Sequence, residues 1–202
     1  MKKLLFAVAL LFCFSIQAVG QEQYVSLKTN YSSMRSTFEN IEGKNELHDR
    51  IYGGSLAYGL KFGDVRTELE GGLNKAGRKK LDDGKIKTKI HTDSLMLNGY
   101  YDVPTGIVIR PYVGAGIGVA HVKGEQKWSY SDINVSGKFK MSNNQFVYQW
   151  AAGISYEATK NLAFDIEYRH TDFGKFSKTD KYGKSTLSVK THNCYLTLRY
   201  TF

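Results

Sequence analysis

The stretch "CYLTLRYTF" (Cys194–Phe202), the last nine residues of the chain, decides the fold. Cys194, Leu196, Leu198, Tyr200 and Phe202 fall on one side of an alternating pattern, and mostly polar residues fall between them. Side chains of a strand point alternately to its two faces, so this pattern predicts a strand with one apolar face. Chain ends are usually polar and frayed, whereas this one predicts a strand held to its final residue.

The same alternation recurs along the chain, with good examples at 65–73 and 162–171. It predicts eight strands, most of them longer than strands of ordinary globular proteins and long enough to cross a bilayer at a tilt. The predicted spans are Gln23–Tyr31, Arg50–Phe62, Val65–Asn74, Ile90–Val103, Val108–Val122, Gln145–Ala158, Leu162–Thr171 and Val189–Phe202.

The connections between these strands alternate between short and long. Short ones fall at Gly63-Asp64, around Pro104-Thr105-Gly106 and at Thr159-Lys160-Asn161. Long ones span Ser32–Asp49, Lys75–Lys89, Lys123–Asn144 and Asp172–Lys190. This rhythm predicts an all-β, eight-stranded antiparallel up-and-down transmembrane barrel with short periplasmic turns and long extracellular loops.

The polar faces separate a membrane barrel from a soluble one. They carry charges of both signs, which could pair inside a barrel. The apolar faces hold more large side chains than an eight-stranded barrel could enclose, so we expect them to face lipid. The charges expected in the interior are Arg66, Glu68, Glu70, Arg110, Glu157, Asp165, Glu167, Arg169 and Arg199.

The N-terminus has the pattern of a secretory signal peptide. Lys2 and Lys3 precede an apolar run from Leu4 to Ile16, with small residues at Ala18 and Gly20. We expect residues 1–20 to be removed and residues 21–202 to form the barrel domain. Removing the two lysines takes the formal net charge from +9 to +7. The mature chain then keeps only Cys194, so it can form no intramolecular disulfide.

The run Gly114-x-Gly116-x-Gly118 resembles a dinucleotide-binding loop only superficially. That fingerprint is G-x-G-x-x-G at the start of a helix, whereas these glycines step by two along a predicted strand. We interpret them as small inward positions that make room for larger neighbours.

Four segments resemble the opacity-type and major-surface-protein outer-membrane β-barrels. They are Ser94–Pro104, Arg110–Val122, Gln149–Gly174 and the final "YLTLRYTF". The resemblance implies location in the Gram-negative outer membrane with loops facing the host or environment, and adhesion in some members. It also implies that the closing strand is read by the barrel-assembly machinery, through Leu196, Leu198, Tyr200 and Phe202.

No residue pattern predicts an enzyme, a cofactor site or a metal site. His48, His91, His121, His170 and His192 lie on separate elements near the predicted loop ends. His48-Asp49 and His91-x-Asp93-Ser94 raise the alternative of an enzyme, because some outer-membrane barrels place a catalytic site at that rim, but polar residues near the lipid headgroups are the simpler interpretation. We therefore expect a non-enzymatic protein, structural or adhesive, with a small-solute channel as the alternative.

The loops hold the positive charge. The loop Lys75–Lys89 has seven basic and two acidic residues, a net charge of +5. Its basic residues, Lys75, Arg78, Lys79, Lys80, Lys85, Lys87 and Lys89, are candidates for binding polyanions such as lipopolysaccharide phosphates or sulfated host glycans. Ordinary solvated loops are the alternative. We expect a monomer with lipid and surface partners and no nucleic acid.

Overall fold

The described part of the chain is built from antiparallel strands. The computed structural model describes residues 21–40, 43–76, 79–81, 86–130, 135–180 and 183–202; the predicted signal peptide lies outside them. The strands are β1 Glu22–Asn40, β2 Gly43–Phe62, β3 Val65–Ala76, β4 Lys79–Leu81, β5 Ile86–Asp102, β6 Ile109–Tyr130, β7 Val135–Glu157, β8 Leu162–Asp180 and β9 Gly183–Thr201.

Eight of these strands close into a ring. Neighbours in sequence pair with each other, β3 pairs with β5, and the short β4 lies beside β5 beyond the end of β3. The ring closes where β1 meets β9, from Tyr24 opposite Thr201 to Glu39 opposite Thr186. The predicted eight-stranded antiparallel up-and-down barrel is confirmed, and the pairing of the last strand with the first closes it.

The tight turns, the start of β1 and the end of β9 lie at the same end of the molecule, which we call the turn end. Gly63 sits in the turn between β2 and β3 with φ of 61°. This left-handed conformation is easily adopted by glycine, which has no Cβ. The adjacent Asp64 carbonyl accepts a hydrogen bond from the Asp102 N–H at 2.8 Å, which ties this turn to β5.

The opposite end, which we call the hairpin end, differs from the sequence prediction. The segments Ser32–Asp49, Lys75–Lys89, Lys123–Asn144 and Asp172–Lys190 were predicted as loops, but most of each continues in strand pairing. β6 and β7 remain paired as far as Tyr130 opposite Val135. Backbone hydrogen bonds sustain a two-stranded ribbon without an alternating pattern, so periodicity could not locate these strand ends.

The polarity of the barrel is the inverse of that of a water-soluble protein. Large apolar side chains such as Leu56, Phe146 and Ile166 are more than 60% exposed on the outer face. Charged side chains such as Arg66 and Arg169 are only 1% exposed inside. An outward apolar surface with a polar interior is the arrangement of a barrel that lies in lipid.

The part of the chain that the structure describes contains no helix long and apolar enough to cross a membrane.

Candidate functional site

The middle of the barrel interior is occupied by an ion cluster that joins β1 to β3. The Lys28 ammonium on β1 lies 2.5 Å from a Glu68 carboxylate oxygen and 2.9 Å from one of Glu70. All three side chains are buried. Buried ions are tolerated only when they are paired and hydrogen-bonded, and here one lysine serves two carboxylates.

Arg169 on β8 connects this cluster to the far side of the barrel. Its Nε donates to Glu167 at 2.7 Å, and Nη1 donates to Glu70 at 3.0 Å. Its Nη2 donates to the Tyr100 hydroxyl at 3.1 Å, while the guanidinium lies 4.2 Å from the Tyr195 ring centroid. Since Glu70 is on β3, this one side chain bridges opposite walls of the barrel.

A second ion pair lies nearer the turn end. The Arg66 guanidinium forms a fork with Asp102, with Nε at 2.8 Å from Oδ2 and Nη2 at 2.7 Å from Oδ1. The rings of Tyr100 and Tyr112 have their centroids 4.9 and 4.8 Å from the guanidinium carbon. A two-pronged arginine–carboxylate contact with aromatic neighbours is a strong and directional interaction.

Three further charges, Asp165, Glu167 and Arg199, are buried in the turn-end half of the interior. Arg199 Nη2 donates to the Ser155 hydroxyl at 2.8 Å and lies 3.5 Å from Asp165. The Tyr112 hydroxyl donates to Glu167 at 3.2 Å. These contacts place Asp165, Glu167 and Arg199 in the interior.

Arg110 and Glu157 occupy a different position from the one predicted. They pair with each other at 3.4 Å, but their side chains are 30% and 31% exposed. Both lie next to the connections at the turn end, where water reaches the barrel mouth. The alternation identified their face but not their distance from the end of the barrel.

Sequence reasoning missed several members of the interior network. Lys28 lies on the polar face of β1, between Ser26 and Asn30, so the alternation could have identified it. Asp102 stands close to a turn, where carboxylates are common, so its position in the sequence does not indicate an interior role. The inward tyrosines count as apolar by residue type, which conceals their hydrogen bonds: the Tyr100 hydroxyl accepts one from Arg169, and the Tyr112 hydroxyl donates one to Glu167.

The hairpin-end half of the interior is lined by uncharged polar side chains. Gln149 donates to Asn98 at 2.7 Å, and Asn193 donates to Thr171 at 3.1 Å. A cavity here has a volume of about 40 Å³, which is room for about three water molecules. Above it, Phe173 packs against an apolar cluster of Met96, Ala120 and Val147.

The strand β8 changes register at this level and fixes Phe173 there. The pairing register between β8 and β9 shifts between Asp172 and Lys175. The Asp172 carboxylate accepts hydrogen bonds from the Gly174 N–H at 2.7 Å and the Tyr148 hydroxyl at 2.9 Å, and it lies 3.3 Å from the Lys190 ammonium. These contacts stabilise the bulge.

The predicted polyanion-binding residues fall on the β3–β5 side of the hairpin end. Lys75 is exposed near the end of β3. Lys79 and Lys80 lie in β4 and Lys87 and Lys89 in β5, with Lys80 directly opposite Lys87. Arg78 and Lys85 lie outside the described residues.

The predicted assembly residues form the outward row of the closing strand. Leu196, Leu198, Tyr200 and Phe202 are all exposed on the lipid-facing side. The Phe202 N–H donates to the Gln23 carbonyl at 2.9 Å, and its ring lies 5.6 Å from that of Tyr200. The hydrogen-bond ladder between the first and last strands thus extends to the final residue.

The histidines whose side chains the structure describes lie near the hairpin end of the wall. His170 and His192 lie side by side on the outer face, with ring centroids 4.7 Å apart, and His192 Nδ1 lies 2.6 Å from the Tyr168 hydroxyl. Asp93 pairs with Lys123 rather than with His91. No group of three metal-ligating side chains occurs in the described residues. The side chain of His48 lies outside them.

Curated relatives are found among bacterial surface proteins. Outer membrane protein PagN of Salmonella typhimurium is 30% identical over 169 residues, covering 73% of this chain and 71% of the relative. "Putative adhesin RC1281" of Rickettsia conorii is 32% identical over 102 residues, covering 48% of this chain and 40% of that one. Outer membrane protein P.IIC of Neisseria gonorrhoeae is 24% identical over 131 residues, covering 54% and 46%.

Solved structures share the fold. Neisserial surface protein A aligns with a TM-score of 0.51 at 15% identity, covering 87% of this chain and 97% of that one. OprG from Pseudomonas aeruginosa also aligns with a TM-score of 0.51, at 16% identity, covering 93% and 99%.

A family model decides the membership. The outer membrane protein beta-barrel domain matches residues 5–202. This match, the inverted polarity and the PagN relative confirm the predicted resemblance and place the barrel in the Gram-negative outer membrane, with the turn end periplasmic and the hairpin end extracellular. The chain therefore belongs to the outer membrane protein beta-barrel family.

Proposed function

We propose that this protein is an adhesive surface protein whose basic β3–β5 hairpin binds polyanions, such as lipopolysaccharide phosphates or sulfated host glycans. The observation that carries the proposal is the filled interior. Arg169 bridges the walls through Glu70, Glu167 and Tyr100, so the barrel offers little space for a ligand. The hairpins outside the membrane are then the part of the molecule free to act on a partner.

The β3–β5 hairpin has the composition for this role. It carries the net charge of +5, and its register sets Lys80 opposite Lys87. Like charges at paired strand positions repel each other, so an anion that bridges them would be stabilising. The Rickettsia relative is designated an adhesin by name, which supports an adhesive role for this chain as well.

The test is binding of heparin, used as the polyanionic probe, to the purified barrel. Neutralising Arg78→Gln, Lys79→Gln and Lys80→Gln together should weaken binding at least about tenfold, because electrostatic attraction depends on local charge. A matched control is Lys175→Gln, Lys178→Gln and Lys184→Gln in the β8–β9 hairpin, which removes equal charge. Unchanged heparin binding by the first variant would reject the hairpin as the binding site.

A small-solute channel is the less favoured alternative, since the charged groups that bridge the barrel leave little bore. We further propose that residues 1–20 are a cleaved signal peptide, that the closing strand is the signal read by the barrel-assembly machinery, and that the protein is a monomer without enzymatic activity. Recovery of a mature chain starting at Gln21 would support the first of these proposals.

A further inference from the structure

The outer wall carries a line of basic side chains near the extracellular ends of four strands. Lys75 on β3 lies opposite Tyr52 on one side and His91 on the other, and His91 lies opposite Lys123. Arg50 follows two residues beyond Tyr52 on the same face of β2. We call Arg50, Lys75, His91 and Lys123 the basic row.

The basic row lies at the edge of the lipid-facing surface. On the membrane side of Arg50 and Lys75, the next outward residues are Tyr52 and Leu73, which are 57% and 63% exposed. On β5 and β6 the next outward residues are Asp93 and His121, and the apolar Leu95 and Val119 come two residues further into the wall. The row side chains themselves are exposed. Because the outward residues change from apolar to polar at the row or one outward position before it, the row stands at the level of the outer-leaflet headgroups.

The charges of the basic row are incompletely neutralised. Lys123 contacts Asp93 at 2.8 Å. Arg50 and Lys75 form no ion pair with any side chain that the structure describes. On the other side of the barrel the equivalent lysine, Lys190, is paired with Asp172 at 3.3 Å. Neighbouring cations on a sheet repel each other, so an anion from outside the chain would stabilise the row.

We propose that the basic row binds the phosphate-bearing headgroup of an outer-leaflet lipid. The charge is complementary, and the lipid is the anion source at that height on the wall. Arg50 offers a planar fork that matches phosphate oxygens, and Lys75 offers a flexible ammonium. This inference depends on the placement of the barrel in the outer membrane and is independent of polyanion binding by the hairpin tip.

The test uses the full mature barrel in nanodiscs of zwitterionic lipid. A bisphosphorylated glycolipid and its dephosphorylated counterpart are added, and the lipid retained by the protein is measured by native mass spectrometry. Binding should require the phosphates. The variant Arg50→Gln/Lys75→Gln/Lys123→Gln should lose about fivefold in affinity per neutralised residue. Retention of the phosphorylated lipid at the wild-type level would overturn the proposal.

A matched variant separates the row from net charge. Lys61→Gln/Lys160→Gln/Lys190→Gln removes three charges elsewhere on the barrel and should bind the glycolipid as the wild type does. An equal loss in this variant would also overturn the proposal. Heat-modifiable gel mobility confirms that each variant is folded.

A third variant distinguishes this inference from the proposed function. Arg78→Gln/Lys79→Gln/Lys80→Gln should lose heparin binding but keep the glycolipid that the basic row retains, so its loss of glycolipid should be smaller than that of the row variant. Loss of glycolipid binding in that variant, with the row variant unaffected, would assign the lipid contact to the hairpin instead and overturn the role of the row.

Discussion

At the scale of the residue, the energetics of this barrel depend on its inward charges. Arg169 contacts two carboxylates and a tyrosine hydroxyl while it is 1% exposed. A buried ion pair adds little over an apolar replacement of both partners, but removal of one partner leaves an uncompensated charge. A single substitution in the network should therefore lower the free energy of unfolding by more than the network's net contribution to stability suggests.

Arg169→Met should lower the free energy of unfolding by about 3–5 kcal/mol, because Glu70 and Glu167 lose a shared buried partner. The measurement is urea unfolding of the barrel in lipid vesicles. Lys190→Met is the control, because its contact with Asp172 involves a half-exposed side chain and should be worth no more than about 1 kcal/mol. Similar losses in the two variants would contradict this assignment.

Gly114, on the inner face of β6, has a packing role that comparison with an outward glycine can isolate. A Cβ at Gly114 would collide with the Tyr100 ring, whereas a Cβ at the outward Gly99 would meet nothing within 4 Å. Gly114→Ala should therefore cost about 1–3 kcal/mol through overpacking. Gly99→Ala should change stability by less than about 0.5 kcal/mol. Thermal unfolding of the two variants provides the comparison, and equal costs would exclude the packing explanation.

Sequence alone predicted the faces of these residues better than their depth. Strand alternation assigns Arg66 and Arg169 to the polar face, and both lie in the interior. It cannot separate them from Arg110, which follows the same rule but stands at the mouth of the barrel. Depth depends on strand tilt and stagger, which arise when the ring closes and are not encoded in local periodicity.

At the scale of the element, the closing strand and the first strand complete the ladder. An open edge in lipid would leave backbone N–H and C=O groups without partners, at several kcal/mol per group. The pairing of β9 with β1 removes both edges, and the Phe202 N–H provides its last hydrogen bond at the turn end.

Deletion of Phe202 should reduce the fraction of folded, membrane-inserted protein more than deletion of Ser131 in the connection between β6 and β7. The first deletion removes a hydrogen bond to Gln23 and an interfacial aromatic ring, and the second shortens a connection outside the barrel. The folded fraction is measured in outer-membrane preparations by heat-modifiable gel mobility. Equal recovery of the two deletion variants would argue against a special role for the terminal residue.

The strands themselves were predictable only where lipid imposes a pattern. Within the membrane one face of a strand must be apolar, so residues 162–171 alternate and the pattern predicts a strand there. Beyond the membrane both faces of a hairpin meet water, so the sequence of β6 after Val122 does not have to alternate. Periodicity therefore places the strand ends on the extracellular side too early.

At the scale of the whole molecule, the barrel keeps its charges inside and its apolar groups outside. The interior network, the uncharged polar layer and the cluster around Phe173 follow one another along the bore. Arg169, with Glu70, Glu167 and Tyr100, spans the bore between opposite walls.

The protein should therefore show no large, stable conductance in planar bilayers. A general porin serves as the positive control for the recordings. The double variant Glu70→Ala/Arg169→Ala removes the bridge between opposite walls and should conduct more than the wild type. A porin-like conductance of the wild-type barrel would reject the closed interior and favour the channel.

The closed ring also constrains how this protein can change over generations. Inserting one residue into a wall strand would exchange its lipid-facing and inward side chains, and every neighbour in the ring shares that register. A hairpin beyond the membrane does not share this register, so it can gain, lose or exchange residues without disturbing the wall. Insertions and deletions are therefore tolerated mainly in the extracellular hairpins, while the wall strands keep their length and register.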